Sequence, residues 1–232
     1  VDPAQVAPEG KNPAGGAGTE SATPGAKAPP EEGKPEEPAS PVSVEESPES
    51  GAAGEDDYRS LKCPPNMIRV RRAKKKSKGE NKTQMEVWCI DRYEFPGKGR
   101  TPRTGIGVVK ADRLCAERGH RLCTRREWGV ACGGKYPYKG EFDPDACNSA
   151  APGPTPRPIK PAGSKLRCVS GWGAYDMVGN VAEWTSDGKV NGGGARGDAE
   201  GGTCYRSIPR KSGGSDVGFR CCVEPSRTEP EK

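Results

Sequence analysis

GNVAEWTSD, residues 179–187, places one acid, one amide and one tryptophan between a glycine and a Ser-Asp turn. Either this stretch is a site or it is a way of packing a loop. Glu183 is a hard oxygen ligand, and a second carboxylate, Asp176, lies seven residues upstream with Gly179 between them. Calcium takes about six to eight oxygens in flexible geometry and accepts backbone carbonyls among them. A chain that turns at Gly179 brings the carbonyls of Gly179 and Val181 into the same set. In the alternative reading the motif pins a loop without metal. In both, Asn180 ties the turn and Trp184 fills the core beneath it.

The wider chain limits what this loop serves. Its 232 residues make one ordinary domain or two small ones, and only 31% are hydrophobic. Gly (33) and Pro (24) are abundant, which predicts a loop-rich fold, a segment without fold, or both. The sequence has no apolar run long enough to span a membrane. Residue 1 is Val and no signal peptide is visible, so the chain reads as a processed product whose targeting signal, and any lipid anchor, lies upstream.

Ten cysteines, all between 63 and 222, form no CxxC pair, and His120 is the single histidine. Zinc sites use close Cys/His pairs, so a disulfide framework is expected. Disulfides persist in oxidising compartments, which places the protein in the periplasm, on the outer surface or in the medium.

Residues 1–57 carry 13 acidic and 3 basic residues and no aromatic residue or cysteine. Such a segment buries too little apolar surface to offset chain entropy and is expected to be a disordered tether. Residues 58–232 carry the opposite balance, 34 basic against 19 acidic. The folded domain is expected over 58–223, with a flexible tail at 224–232.

Within the domain, 67–72 and 84–90 read as a hairpin joined by AKKKSKGENK. That basic run has no interleaved aromatics, so it predicts a solvated tip rather than a nucleic-acid site. KADRLCAER (110–118) has helical spacing, with Leu114 and Cys115 inward, and Gly119 stops it. Thr124 and Glu127 have the spacing of a capping box, predicting a helix from Arg125 to about Cys132 with Trp128 and Cys132 inward. Beyond 133, glycine and proline rule out long helices and a large regular sheet.

Five segments now stand in one order: CIDRYE (89–94), GHRLCTRREWGVACGG (119–134), YPYKG (136–140), GAYDMVGNVAEWTSD (173–187) and GFRCC (218–222). Together they resemble the formylglycine-generating enzyme, or sulfatase-modifying factor, family over roughly 61–223. The resemblance implies an α+β fold of low regular content, C-type-lectin-like and stabilised here by disulfides. It implies a calcium site at Asp176, Gly179, Val181 and Glu183. A second calcium site would begin at Asn148 and Ser149, but its later ligands fall in a shortened, proline-rich segment. The family's enzymes oxidise a substrate cysteine with a copper-holding cysteine pair, and soft thiolates select Cu(I).

The resemblance also implies Cys115–Cys221 and Cys132–Cys204 as structural disulfides. Counting back from Cys204 puts the catalytic pair at Gly194 and Ala199, so no copper is expected and the catalytic residues are lost. The remaining six cysteines allow 15 pairings. Among these the expectation is Cys63–Cys89 across the hairpin, Cys147–Cys168 closing the loop they bracket and Cys123–Cys222 beside Cys115–Cys221, with the other pairings left open. The iron-dependent relatives need several histidines, and His120 alone reads as a surface residue.

No phosphate-binding glycine loop, GxSxG or Ser-His-Asp set occurs. The expected function is a non-catalytic binding or scaffold module. Its partner would be a peptide, protein or glycan held by a groove of the 188–217 loops with Arg196, Arg206 and Arg210. An active copper-dependent oxidase and a purely structural envelope protein are the alternatives.

Overall fold

The computed structural model describes residues 58, 60–74, 84–149, 157–195 and 202–227. The tether expected over 1–57, most of the basic hairpin tip, Arg196 and Ala199 lie outside these residues.

The domain begins with the hairpin. Strands β2 (Met67–Ala73) and β3 (Met85–Asp91) pair antiparallel from Met67↔Asp91 to Ala73↔Met85. In β2 the side chains alternate, Ile68 and Val70 buried and Arg69 and Arg71 outward, as a strand with one covered face requires. Helix α1 (Val108–Ala116) starts two residues before the expected point. Gly107 enters it in an extended conformation without a side-chain cap, so no residue there signals the start. Its end is legible: Gly119 has φ +72°, Gly119 N–H bonds Ala116 O and His120 N–H bonds Cys115 O, the Schellman pattern.

Strand β4 (Arg121–Leu122) leads into helix α2 (Arg125–Cys132). Thr124 Oγ1 accepts from Glu127 N–H at 3.2 Å and Glu127 Oε2 accepts from Thr124 N–H at 2.8 Å, so the capping box is complete. Arg121 clamps the same Glu127 carboxylate with two bonds, at 2.8 and 2.7 Å.

The later strands are short: β5 (Ala182–Trp184), β6 (Lys189–Asn191), β7 (Ser207–Pro209), β8 (Val217–Phe219) and β9 (Cys221–Val223). They complete two four-stranded sheets, ordered β2-β3-β9-β4 and β7-β6-β5-β8, with β5 and β8 parallel. A third pair joins β1 (Leu61–Lys62) to β10 (Ser226–Arg227). Within the segment expected as a flexible tail over 224–232, Ser226 and Arg227 pair with β1 and Glu224 bonds Arg121 at 2.7 Å.

Two apolar clusters fill the domain. One gathers Ile68, Val70, Trp88 and Ile90 of the hairpin against Trp128 and Cys132 of α2. The other gathers Ala111 and Cys115 of α1 against Trp184, Val217 and Phe219. Five disulfides cross them: Cys63–Cys89, Cys115–Cys221, Cys123–Cys222, Cys132–Cys204 and Cys147–Cys168. Each contributes about 2–4 kcal/mol by constraining the unfolded chain, which offsets a small apolar core.

Candidate functional site

The GNVAEW turn sits between the two clusters, and its backbone is crowded. Gly179 has φ +80°, and a Cβ there would lie 2.7 Å from the Asn148 carbonyl. Asn180, at φ +55°, is the tie of the turn. Its Nδ2 donates to Glu94 Oε2 at 2.6 Å and to Lys160 O at 3.0 Å. Its Oδ1 accepts from Asn148 Nδ2 at 2.9 Å and from Lys160 N–H at 2.8 Å. Trp184 is buried and donates its indole N–H to Ile106 O at 2.9 Å.

The acids of the turn lie beside a charged group that sequence reasoning missed. Arg220, fully buried, donates from Nε to Glu183 Oε2 at 2.7 Å and from a terminal nitrogen to Glu183 Oε1 at 2.6 Å. Its other donors reach Asp91 O and Tyr175 O. Trp128 Nε1 also donates to Glu183 Oε2, at 2.6 Å. Asp176 Oδ2 accepts from Gly163 N–H at 2.6 Å. Glu94, the last residue of CIDRYE and equally buried, accepts from Val181 N–H and Asn180.

Three buried carboxylates thus surround one guanidinium. Burial, reinforced by Asp176 and Glu183, holds the Glu94 carboxyl well above the usual range. Burial also pushes Asp176 up to about 6, against the opposing pull of the Gly163 amide and Arg220.

These donors decide whether a calcium ion suits the set. A divalent cation needs the free lone pairs of Glu183, and those face a guanidinium and an indole N–H instead. Asp176 accepts one bond, through Oδ2, and Glu94 accepts two, and among the described residues no group of three or more His, Cys, Asp or Glu is arranged to hold a metal. The expected calcium set, Asp176, Gly179, Val181 and Glu183, lies on this turn, where Arg220 and Trp128 would compete with an ion for Glu183. Asn148 and Ser149 are buried next to it, Asn148 Nδ2 bonding Pro158 O and Asn180.

All ten cysteines are joined, in five disulfides. Gly194, where the count back from Cys204 puts the first catalytic position, is packed so closely that an added Cβ would meet Asp216 O at 3.3 Å. Of the expected groove arginines, Arg210 pairs with Asp216 at 3.2 Å, and Arg206 is partly buried. A groove of about 760 Å³ does open alongside, between α2 and the 186–205 region. Its walls include Arg125, Trp128, Asp187, Asn191 and Tyr205, the last 68% exposed. His120 is half-buried rather than a surface residue.

Comparison with known proteins agrees with this geometry. The family model described as sulfatase-modifying factor enzyme 1-like domain matches residues 55–225. Serine/threonine-protein kinase pkn1 of Chlamydia caviae is 35% identical over 97 residues, 40% of this chain and 15% of the kinase. Its namesake from Chlamydia trachomatis serovar L2 is 33% identical over the same shares. The matched segment is therefore a small part of each curated relative.

Among solved structures, Treponema denticola variable protein 1 superposes with a TM-score of 0.51 at 16% identity, over 68% of this chain and 95% of that one. CarF gives a TM-score of 0.47 at 18% identity, over 70% of this chain and 99% of its own. A U1 variant of the Major Tropism Determinant gives 0.48 at 11%, over 72% and 55%. The fold is the C-type-lectin-like, disulfide-stabilised one that the five motifs implied. Over residues 55–225 the chain belongs to the family of sulfatase-modifying factor enzyme 1-like domains.

Proposed function

We propose that this chain is a non-catalytic binding or scaffold module of its family, working in an oxidising, extracytoplasmic space. The observation that carries the reading is the sulfur inventory. Cysteine-to-formylglycine oxidation needs two thiolates, and all ten cysteines are spent on disulfides. The same disulfides support the compartment, because cytosolic reductants keep thiols reduced.

The groove between α2 and Tyr205 is the surface we assign to a peptide ligand. It offers the exposed Tyr205 ring beside the charges of Arg125 and Asp187. Aromatic anchors with an arginine at their side are the usual centre of such contacts.

Two measurements test the reading. Alkylation of the unreduced protein followed by intact mass should count no free thiols. Two free thiols would restore the copper-oxidase alternative. A peptide and glycan array should then give binding that Tyr205→Ser abolishes. An array without hits, or hits indifferent to that substitution, leaves the purely structural reading in place.

A further inference from the structure

We propose a second binding site, separate from that groove, in which Lys98, Arg100, Arg118 and His120 take a phosphate or sulfate group. The four residues line one pocket of about 460 Å³ together with Asp91 and Asn66.

Two rigid turns bring them there. Lys98 and Arg100 lie on the turn after CIDRYE, held by Gly97 N–H to Glu94 O, Arg100 N–H to Gly97 O, and reciprocal bonds that link Gly99 and Arg100 to Ala162. Arg118 and His120 flank Gly119 in the Schellman turn that ends α1. The Arg118 guanidinium rests on the Phe95 ring, 3.9 Å from its centroid, which fixes its plane.

Cations without an ion pair are common among the described residues, and what sets these four apart is that one pocket gathers them. Arg121, Arg126, Arg167, Lys189, Arg210 and Arg220 each have a carboxylate partner. Among the described residues none joins Lys98, Arg100 or Arg118 in an ion pair. Asp91, the one acid of the pocket, takes its hydrogen bond from Cys221 N–H, and Arg118 and His120 act on its carboxylate through space without a hydrogen bond. Cations at a helix C-terminus are favourable by themselves, which accounts for Arg118 and His120. It does not account for Lys98 and Arg100, which come from another segment.

Arginine and lysine recognise oxoanions by charge-assisted hydrogen bonds, and a tetrahedral group presents oxygens to donors that converge from two sides.

The test is a titration of the full chain in chloride buffer at constant ionic strength, followed by amide NMR shifts. Inorganic phosphate and inorganic sulfate are the first probes, glucose 6-phosphate and glucose 6-sulfate the second. Saturable shifts at Gly97, Lys98, Gly119 and His120 are expected. Arg118→Ala and Arg100→Ala should each weaken binding about tenfold, the loss of a charge-assisted contact, while Arg125→Ala leaves it unchanged. Since Lys98, Arg100 and Arg118 are exposed, melting curves should confirm that the variants remain folded. Tighter binding of the esters assigns the site to an esterified ligand, and equal binding assigns it to the free ion. Linear shifts scattered over all exposed lysines and arginines, or variants that bind like the parent, would overturn the proposal.

Discussion

Arg220 and Glu183 face each other with both carboxylate oxygens engaged, at 2.6 and 2.7 Å, and neither side chain is more than 1% exposed. Sequence separates them by 37 residues, yet they hold β5 to the turn between β8 and β9. A buried pair of this kind gains little over an apolar pair, but breaking it leaves an uncompensated charge.

That asymmetry gives the first prediction. Glu183→Gln should cost about 3–5 kcal/mol, since it strands the guanidinium in the core. Lys189→Met breaks the exposed Lys189–Asp187 pair, both side chains 39% exposed, and should cost less than about 1 kcal/mol. Urea unfolding midpoints compare the two. Equal losses would mean that Arg220 finds water once its partner is neutral.

Asp176 gives a pH dependence whose sign is fixed. Its carboxyl is raised from 3.8 to about 6, so the fold prefers the protonated acid. The stability this brings is complete below the ordinary value and is lost as pH rises through about 6. Asp176→Asn should therefore match the parent near pH 4 and exceed it at pH 8, by about 1–3 kcal/mol. Asn also tolerates the φ of +55° and can still accept from Gly163. Denaturant curves at the two pH values check this, and an Asn variant weaker at pH 8 would contradict it.

Calcium should leave the protein unmoved. A ligand that binds only the folded state raises the melting temperature in step with its excess over Kd. With Glu183 held by Arg220, millimolar calcium and EDTA should give melting temperatures within about 1 °C of each other. A rise of several degrees with calcium would show that Arg220 yields the carboxylate to the ion.

Glycines 179 and 119 separate strain from crowding. Both have positive φ, +80° and +72°. Nothing lies within 4 Å of a Cβ at Gly119, whereas one at Gly179 meets the Asn148–Ser149 backbone at 2.7 Å. Gly119→Ala should cost about 1 kcal/mol, the conformational penalty alone. Gly179→Ala should cost above about 3 kcal/mol, because a main chain must move. Thermal melts of the pair read the difference.

How much of this was visible in the sequence follows the range of each interaction. The capping box of α2 was legible because Thr124 and Glu127 sit three residues apart and act on each other. The Schellman end of α1 was legible through Gly119, while its start at Val108 was not, since Gly107 caps with no side chain. The disulfide-rich character followed from ten cysteines without CxxC spacing. Glu94 and Arg220 were quoted inside motifs but given no role. Only the fold shows that CIDRYE and GFRCC, far apart in the chain, meet under GNVAEW. The same long-range contact sets a guanidinium against Glu183, one of the expected ligands. The signal was present as charged residues within otherwise apolar motifs, which in a small core implies partners.

The disulfide that joins Cys115 to Cys221 has a consequence for survival under proteolysis. It closes a circuit of 106 residues, inside which Cys132–Cys204 and Cys147–Cys168 close smaller ones, and Cys123–Cys222 overlaps it. A protease that cuts once anywhere between residues 116 and 220 therefore releases no fragment: both halves stay tied through the circuit. On an unreduced gel the nicked protein would migrate near the intact one, and would part into two bands only with reductant. Loops in this span can thus be exposed to wear without cutting the molecule in two.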